Sequence, residues 1–132
     1  MSRITLATLT VTALFTAVVV AQQQPPAAPI KRTPLQTVDV IGSPYQTVTG
    51  IAEVAPNVNI GRHTHPGYET GYLLEGDLTL LVEGKPPLAL KPGDSYQVPL
   101  NAVHDARSGD KGAKVLAVYI VERGKPLAVP AP

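Results

Sequence analysis

His63-Thr64-His65-Pro66-Gly67-Tyr68-Glu69-Thr70-Gly71-Tyr72-Leu73-Leu74-Glu75-Gly76 reads as two short extended runs separated by a Pro-Gly break and closed by a turn former. Side chains alternate between the two faces of a strand, so His63 and His65 project to the same side, as two ligands of one ion require. Glu69 lies at an even offset from both, but Pro66-Gly67 interrupts the strand, so parity alone does not fix where its carboxylate sits. His104 is the third and last histidine of the chain. It follows Gly93-Asp94 and Val98-Pro99 at the start of a later strand and joins the same hypothesis. Imidazole nitrogen with one carboxylate oxygen suits Fe, Mn, Ni, Co, Cu or Zn and suits Ca or Mg poorly, since those favour oxygen donors.

The same rhythm of short strand and turn runs through the rest of the chain. Turn formers fall at Gly42-Ser43-Pro44, Pro56-Asn57, Gly76-Asp77, Gly84-Lys85-Pro86-Pro87, Lys91-Pro92-Gly93-Asp94 and Ser108-Gly109-Asp110-Lys111-Gly112. The runs between them are rich in Val, Leu, Ile, Thr and Tyr and carry no sustained helical period. An all-β protein is predicted, with strands over Val38 to Ile41, Gln46 to Ala55, Asn59 to His65, Tyr68 to Glu75, Leu78 to Val82, Leu88 to Lys91, Ser95 to Val98, Val103 to Ser108 and Ala113 to Glu122. Many short strands with no helix between them imply an antiparallel sandwich or barrel. If Glu69 faces inward, so do Gly71 and Leu73, while Tyr68 and Tyr72 face out. Gly76-Asp77 and Gly93-Asp94 are read as hairpin turns.

Composition narrows the function classes. A net charge of +1 over 132 residues, with acids and bases interspersed, offers no basic patch for nucleic acid. Without Cys there is neither disulfide nor thiol chemistry. Met1 to Arg3 carry a positive charge, Ile4 to Val20 form an uncharged run, and Val19-Val20-Ala21 offers the small residues of a signal-peptidase site. Residues 1–21 are therefore read as a signal peptide, which places the mature protein in the periplasm or outside the cell with no stable membrane insertion. Residues 22–33 are read as a Pro-rich tether, 34–125 as the folded domain and 126–132 as a flexible tail. The strand Lys114 to Val121 is apolar at both parities, so each face wants cover, and a homodimer is expected.

Taken singly, each histidine and Glu69 has a plain structural reading, and the combined spacing is what carries weight. His63-x-His65-x3-Glu69-x6-Gly76 resembles the first motif of the cupin superfamily, and Gly93-Asp94-x4-Pro99-x4-His104 resembles the second, as in small single-domain bacterial cupins. Three positions depart from the pattern: Asn57 and Asn101 stand where the motifs usually have Gly, and Ser108 where the second ends in Asn. Asn tolerates left-handed backbone, and Ser108 bears only on a structural hydrogen bond. The resemblance implies a jelly-roll barrel of two antiparallel sheets. It also implies that one divalent metal ion is held by His63, His65, Glu69 and His104.

A His3Glu set leaves positions open for substrate or dioxygen, and such sites resemble those of quercetin-type dioxygenases. Dioxygenase-like oxidation of a small organic molecule is thus the first expectation. A non-catalytic small-ligand or metal-binding protein is the alternative. Decarboxylase or isomerase chemistry ranks below both, because it needs a proton donor besides the ligands. Glu53, Glu75 and Glu83 are the candidates for that role, each read as a solvated position.

Overall fold

Runs of Val, Leu, Ile and Thr between turn formers become eight strands in the computed structural model, which describes residues 29–132. They are β1 (Ile30–Asp39), β2 (Tyr45–Val54), β3 (His63–Thr64), β4 (Gly67–Val82), β5 (Leu88–Leu90), β6 (Ser95–Val98), β7 (His104–Glu122) and β8 (Val129–Pro130). Every pairing is antiparallel. The segment expected to be a signal peptide, and the expected tether up to residue 28, lie outside the described residues. β1 begins at Ile30, inside the segment expected to be a tether, and takes Pro34 at a register shift between Pro34 and Gln36. Proline is tolerated there because β1 is an edge strand and needs no ladder donor at a bulge.

Two long strands organise the barrel. β4 and β7 pair from Gly67↔Val121 to Val82↔His104. Their one end joins β1, β2 and β6, and their other end joins β3 and β5. The two sheets implied by the resemblance are thus halves of one curled sheet through which β4 and β7 both pass.

The crossing point explains why two expected breaks are not breaks. Gly76 and Gly112 have φ of +78° and +71°, and a Cβ on Gly76 would fall 2.0 Å from the Gly112 carbonyl oxygen. Only glycine permits this close backbone approach, so Gly76-Asp77 forms a bulge that bends β4 instead of a hairpin turn. Two of the predicted strands fuse into β4, and two more into β7, for this reason. In contrast, the strand expected from Asn59 shrinks to His63–Thr64, since Gly61 at φ +99° breaks the extended run.

Leu73, Val98, Val115 and Ala117 from one half meet Leu78, Leu80, Val82 and Ala106 from the other in a single core. Fully burying each such Leu or Val side chain contributes about 1.5–3 kcal/mol. The three motif departures fall where the sequence argument allows them. Asn57 and Asn101 hold φ of 57° and 55°, the only non-glycine residues with positive φ among those described. The Ser108 hydroxyl accepts from Val58 N at 3.0 Å and donates to Ala55 O at 2.6 Å, pinning the loop before β3.

Candidate metal centre

Each half of the curled sheet delivers part of one cluster. β3 and β7 set His63 directly opposite His104. His65 follows at the end of β3, buried like His104. Glu69 comes from β4, flanked in register by Tyr119 of β7 and Val98 of β6. Leu73 and Gly71 share its inward parity, while Tyr68 and Tyr72 face solvent, as alternation requires. The three imidazole rings lie 4.1 to 5.1 Å apart between centroids. One donor atom from each of His63, His65, Glu69 and His104 falls within 4.8 Å of all the others.

The outer nitrogens are all committed to the backbone. His63 Nδ1 donates to Gly61 O at 2.7 Å, His65 Nδ1 to Leu127 O at 2.6 Å and His104 Nδ1 to Ala102 O at 3.0 Å. A carbonyl oxygen can only accept, so each Nδ1 carries its proton and Nε2 is the ring nitrogen left to serve as a ligand. His65 Nε2 and His104 Nε2 are buried without a hydrogen-bond partner among the described residues. They stand 2.9 and 3.3 Å from Glu69 Oε2. Two buried imidazole nitrogens and a third beside a carboxylate can share one cation, and this donor set fits a first-row divalent ion.

Burial alone would push the Glu69 carboxyl up, but His104, His65 and the Tyr96 hydroxyl together hold it down at about 2. It is therefore anionic at neutral pH. Burial lowers His63. Burial also opposes the charging of His104, but Glu69, the Ala102 carbonyl and Asp105 raise it overall.

Two phenols complete the site, and neither was singled out as functional from sequence. Tyr96 donates to Glu69 Oε1 at 2.7 Å, leaving Oε2 to face the imidazoles. Its ring lies over Gly71, where an added Cβ would come within 2.3 Å of it. Tyr119 packs against His65 with 4.8 Å between ring centroids, and its hydroxyl has no hydrogen bond among the described residues. Burial and the Glu69 charge raise both phenols, so both stay protonated. Register hid Tyr96, because parity cannot be carried across the turn at Pro99. Tyr119 was visible only as one residue of an apolar strand, sharing parity with Val115 and Ala117. The acids considered as proton donors are elsewhere: Glu75 and Glu83 are exposed and Glu53 is half-buried, and the three pair with Lys114, Arg62 and Lys31 respectively.

The arm from Pro126 to Pro132 is not free of the barrel. Thr64 and His63 pair with Val129 and Pro130 of β8, and Arg62 Nε donates to Pro132 O at 2.6 Å. Leu127 and Ala128 close one wall of a cavity of about 50 Å³ at the cluster. Beside it lies an apolar cavity of about 230 Å³, with Ala52, Ala117, Tyr119 and Leu127 common to both.

Residues 50–119 match the family model described as Cupin domain. A curated relative, dimethylsulfoniopropionate lyase DddQ of Ruegeria pomeroyi, is 35% identical over 57 residues, which cover 43% of this chain and 28% of the relative. The crystal structure of DddQ from the same organism superposes with a TM-score of 0.67 at 23% identity, over 78% of this chain and 52% of that one. KdgF from Halomonas sp. superposes with a TM-score of 0.61 at 20% identity, over 76% of this chain and 86% of that one. A cupin superfamily protein of Desulfitobacterium hafniense gives 0.60 at 15% identity, over 80% and 84%. These structural likenesses concern the fold, and the chain spans about half the length of the DddQ structure.

Proposed function

The chain belongs to the cupin domain family, and on that premise we propose that it is an exported, metal-dependent enzyme acting on a small organic molecule by proton transfer. Its ion is held by His63, His65, Glu69 and His104. The observation that carries the reading is the convergence of three fixed imidazoles and one carboxylate beside a phenol, Tyr119, whose hydroxyl has no hydrogen bond among the described residues.

A divalent ion bound there would polarise a substrate oxygen and offset negative charge developing on it. The chain supplies the rest. Backbone carbonyls fix the imidazole tautomers, and Tyr96 holds one oxygen of Glu69. Tyr119, kept protonated by burial and by Glu69, is placed to donate a hydrogen bond or a proton to a bound molecule. Ala52, Val115 and Ala117 keep the cavity apolar, which strengthens each of these polar contacts. This phenol meets the need for a proton donor that made non-redox chemistry rank low on sequence grounds. Likeness to a lyase points the same way.

Export rests on the charged start, apolar run and small-residue site of residues 1–21. A domain preceded by a tether, and a homodimer formed through the outer face of β7, belong to the same proposal.

The test loads the protein separately with zinc and with iron and assays turnover with and without dioxygen. Dimethylsulfoniopropionate, the compound in the relative's name, is the first substrate to try. Turnover with zinc and without dioxygen, lowered about a hundredfold or more by Tyr119→Phe at unchanged metal content, is the expected result. Turnover that needs both iron and dioxygen would restore the dioxygenase-like reading. Ligand binding without turnover would make this a binding protein.

A further inference from the structure

Arg32 stands on the edge strand β1 yet belongs to the inner face. It pairs with Ala52, which pairs with Val115, which pairs with Leu73. Cross-strand partners share a face, and Val115 and Leu73 are 3% and 0% exposed, so this row runs from the middle of the core to Arg32 at its open end. There the side chain lines both the cavity at the histidine cluster and the adjoining apolar cavity. Among the described residues it is the one Lys or Arg side chain lining either of them.

Arg32 makes no ion pair among the described residues. Its neighbour Lys31, on the other face, pairs with Glu53 at 3.0 Å, and Arg62 beyond the cluster pairs with Glu83 at 2.6 Å. An inward charge on an edge strand has a plain use in discouraging edge-to-edge pairing. That use requires no cavity, and here the charge lines two adjoining cavities, one apolar and one bearing the donor cluster. A guanidinium left unpaired beside an apolar chamber is a recognition element for a planar anion, because its fork matches both carboxylate oxygens.

We propose that the ligand of this cavity is a small carboxylate with an apolar body. Its carboxylate is engaged by Arg32 and its body lies along Val48, Ala52, Ala117 and Leu127. This names the ligand class of the site described above and rests on that reading for the ligand's approach to the cluster.

The experiment measures calorimetric binding of pentanoate and of the neutral, similarly shaped pentanamide. It uses full-length wild type, Arg32→Gln and Arg32→Lys, each metal-loaded and chelated, with metal content determined independently. Wild type is expected to favour pentanoate by about tenfold or more. Arg32→Gln should abolish that preference while leaving pentanamide binding unchanged, and Arg32→Lys should keep part of it. Circular dichroism melts confirm that the variants fold. An unchanged preference in Arg32→Gln overturns the inference, as does a wild type that binds neither probe or does not distinguish them. A preference removed by chelation but not by Arg32→Gln overturns it too and leaves the metal reading standing. An Arg32-dependent preference in a protein that takes up no metal supports the inference and overturns the metal reading.

Discussion

The buried Nε2 atoms of His65 and His104 stand 2.9 and 3.3 Å from an oxygen of Glu69 that can only accept. Either protons or a metal ion can relieve that crowding, so the two compete. In the metal-free protein the raised His104 contributes stability that is full below about pH 6.5 and is lost as pH climbs through its folded-state value. The lowered His63 works in the opposite sense, gaining stability as pH rises towards about 6.5. Glu69, held at about 2, contributes stability that is present above its ordinary value of 4.5 and lost as pH falls towards 2. The two histidine effects oppose each other, whereas a bound ion requires neutral imidazoles and gains on protons throughout. The fall in Tm on adding chelator should therefore widen from about pH 6 to about pH 8, measured by thermal melts in matched buffers. A chelator effect that does not vary with pH would mean that imidazoles are not the donors. All four of these side chains were legible in sequence from spacing and resemblance. The phenols were not, because a tyrosine in a strand takes its role from the face it occupies, and that face is set by register across a turn.

The least legible element is β8. Pro126, Pro130 and Pro132 suggest a segment unable to form a ladder. A proline lacks only the donor, however, and its carbonyl can still pair at an edge. The result is a short strand that brings the Leu127 carbonyl to His65 and walls the cavity. Removing residues 126–132 should weaken metal binding about tenfold or more by freeing the His65 ring. The metal-free melt should change little, since Val129 is about half exposed and buries little apolar surface. Competition against a chromogenic chelator measures the first effect and circular dichroism the second. Unchanged metal affinity would make the arm a passive cover. The long strands β4 and β7 were legible in pieces only, because Gly76 and Gly112 mark a bulge as readily as a turn. Which of the two they form depends on the partner strand.

At the scale of the whole molecule, the barrel was legible because its two motifs span Asn57 to Ser108 and fix both halves of the sheet. The outer face raises the question of assembly. Val38, Thr47, Ile120 and Tyr68 lie in one cross-strand row, and Val38, Ile120 and Tyr68 are all exposed. A second copy covering this row would give a dimeric mass in light scattering at micromolar concentration, and Ile120→Lys should return it to a monomer. A wild-type monomer would count against the dimer and leave the site unaffected. The central claim is that four side chains from both halves of the sheet share one ion. It is tested most directly by elemental analysis of the purified wild type beside His63→Ala, His65→Ala, Glu69→Ala and His104→Ala. The expected result is about one divalent ion per wild-type chain and loss of most of it in every variant, since each loses a donor from one set. Full metal content in the His63→Ala and His104→Ala proteins would contradict the account.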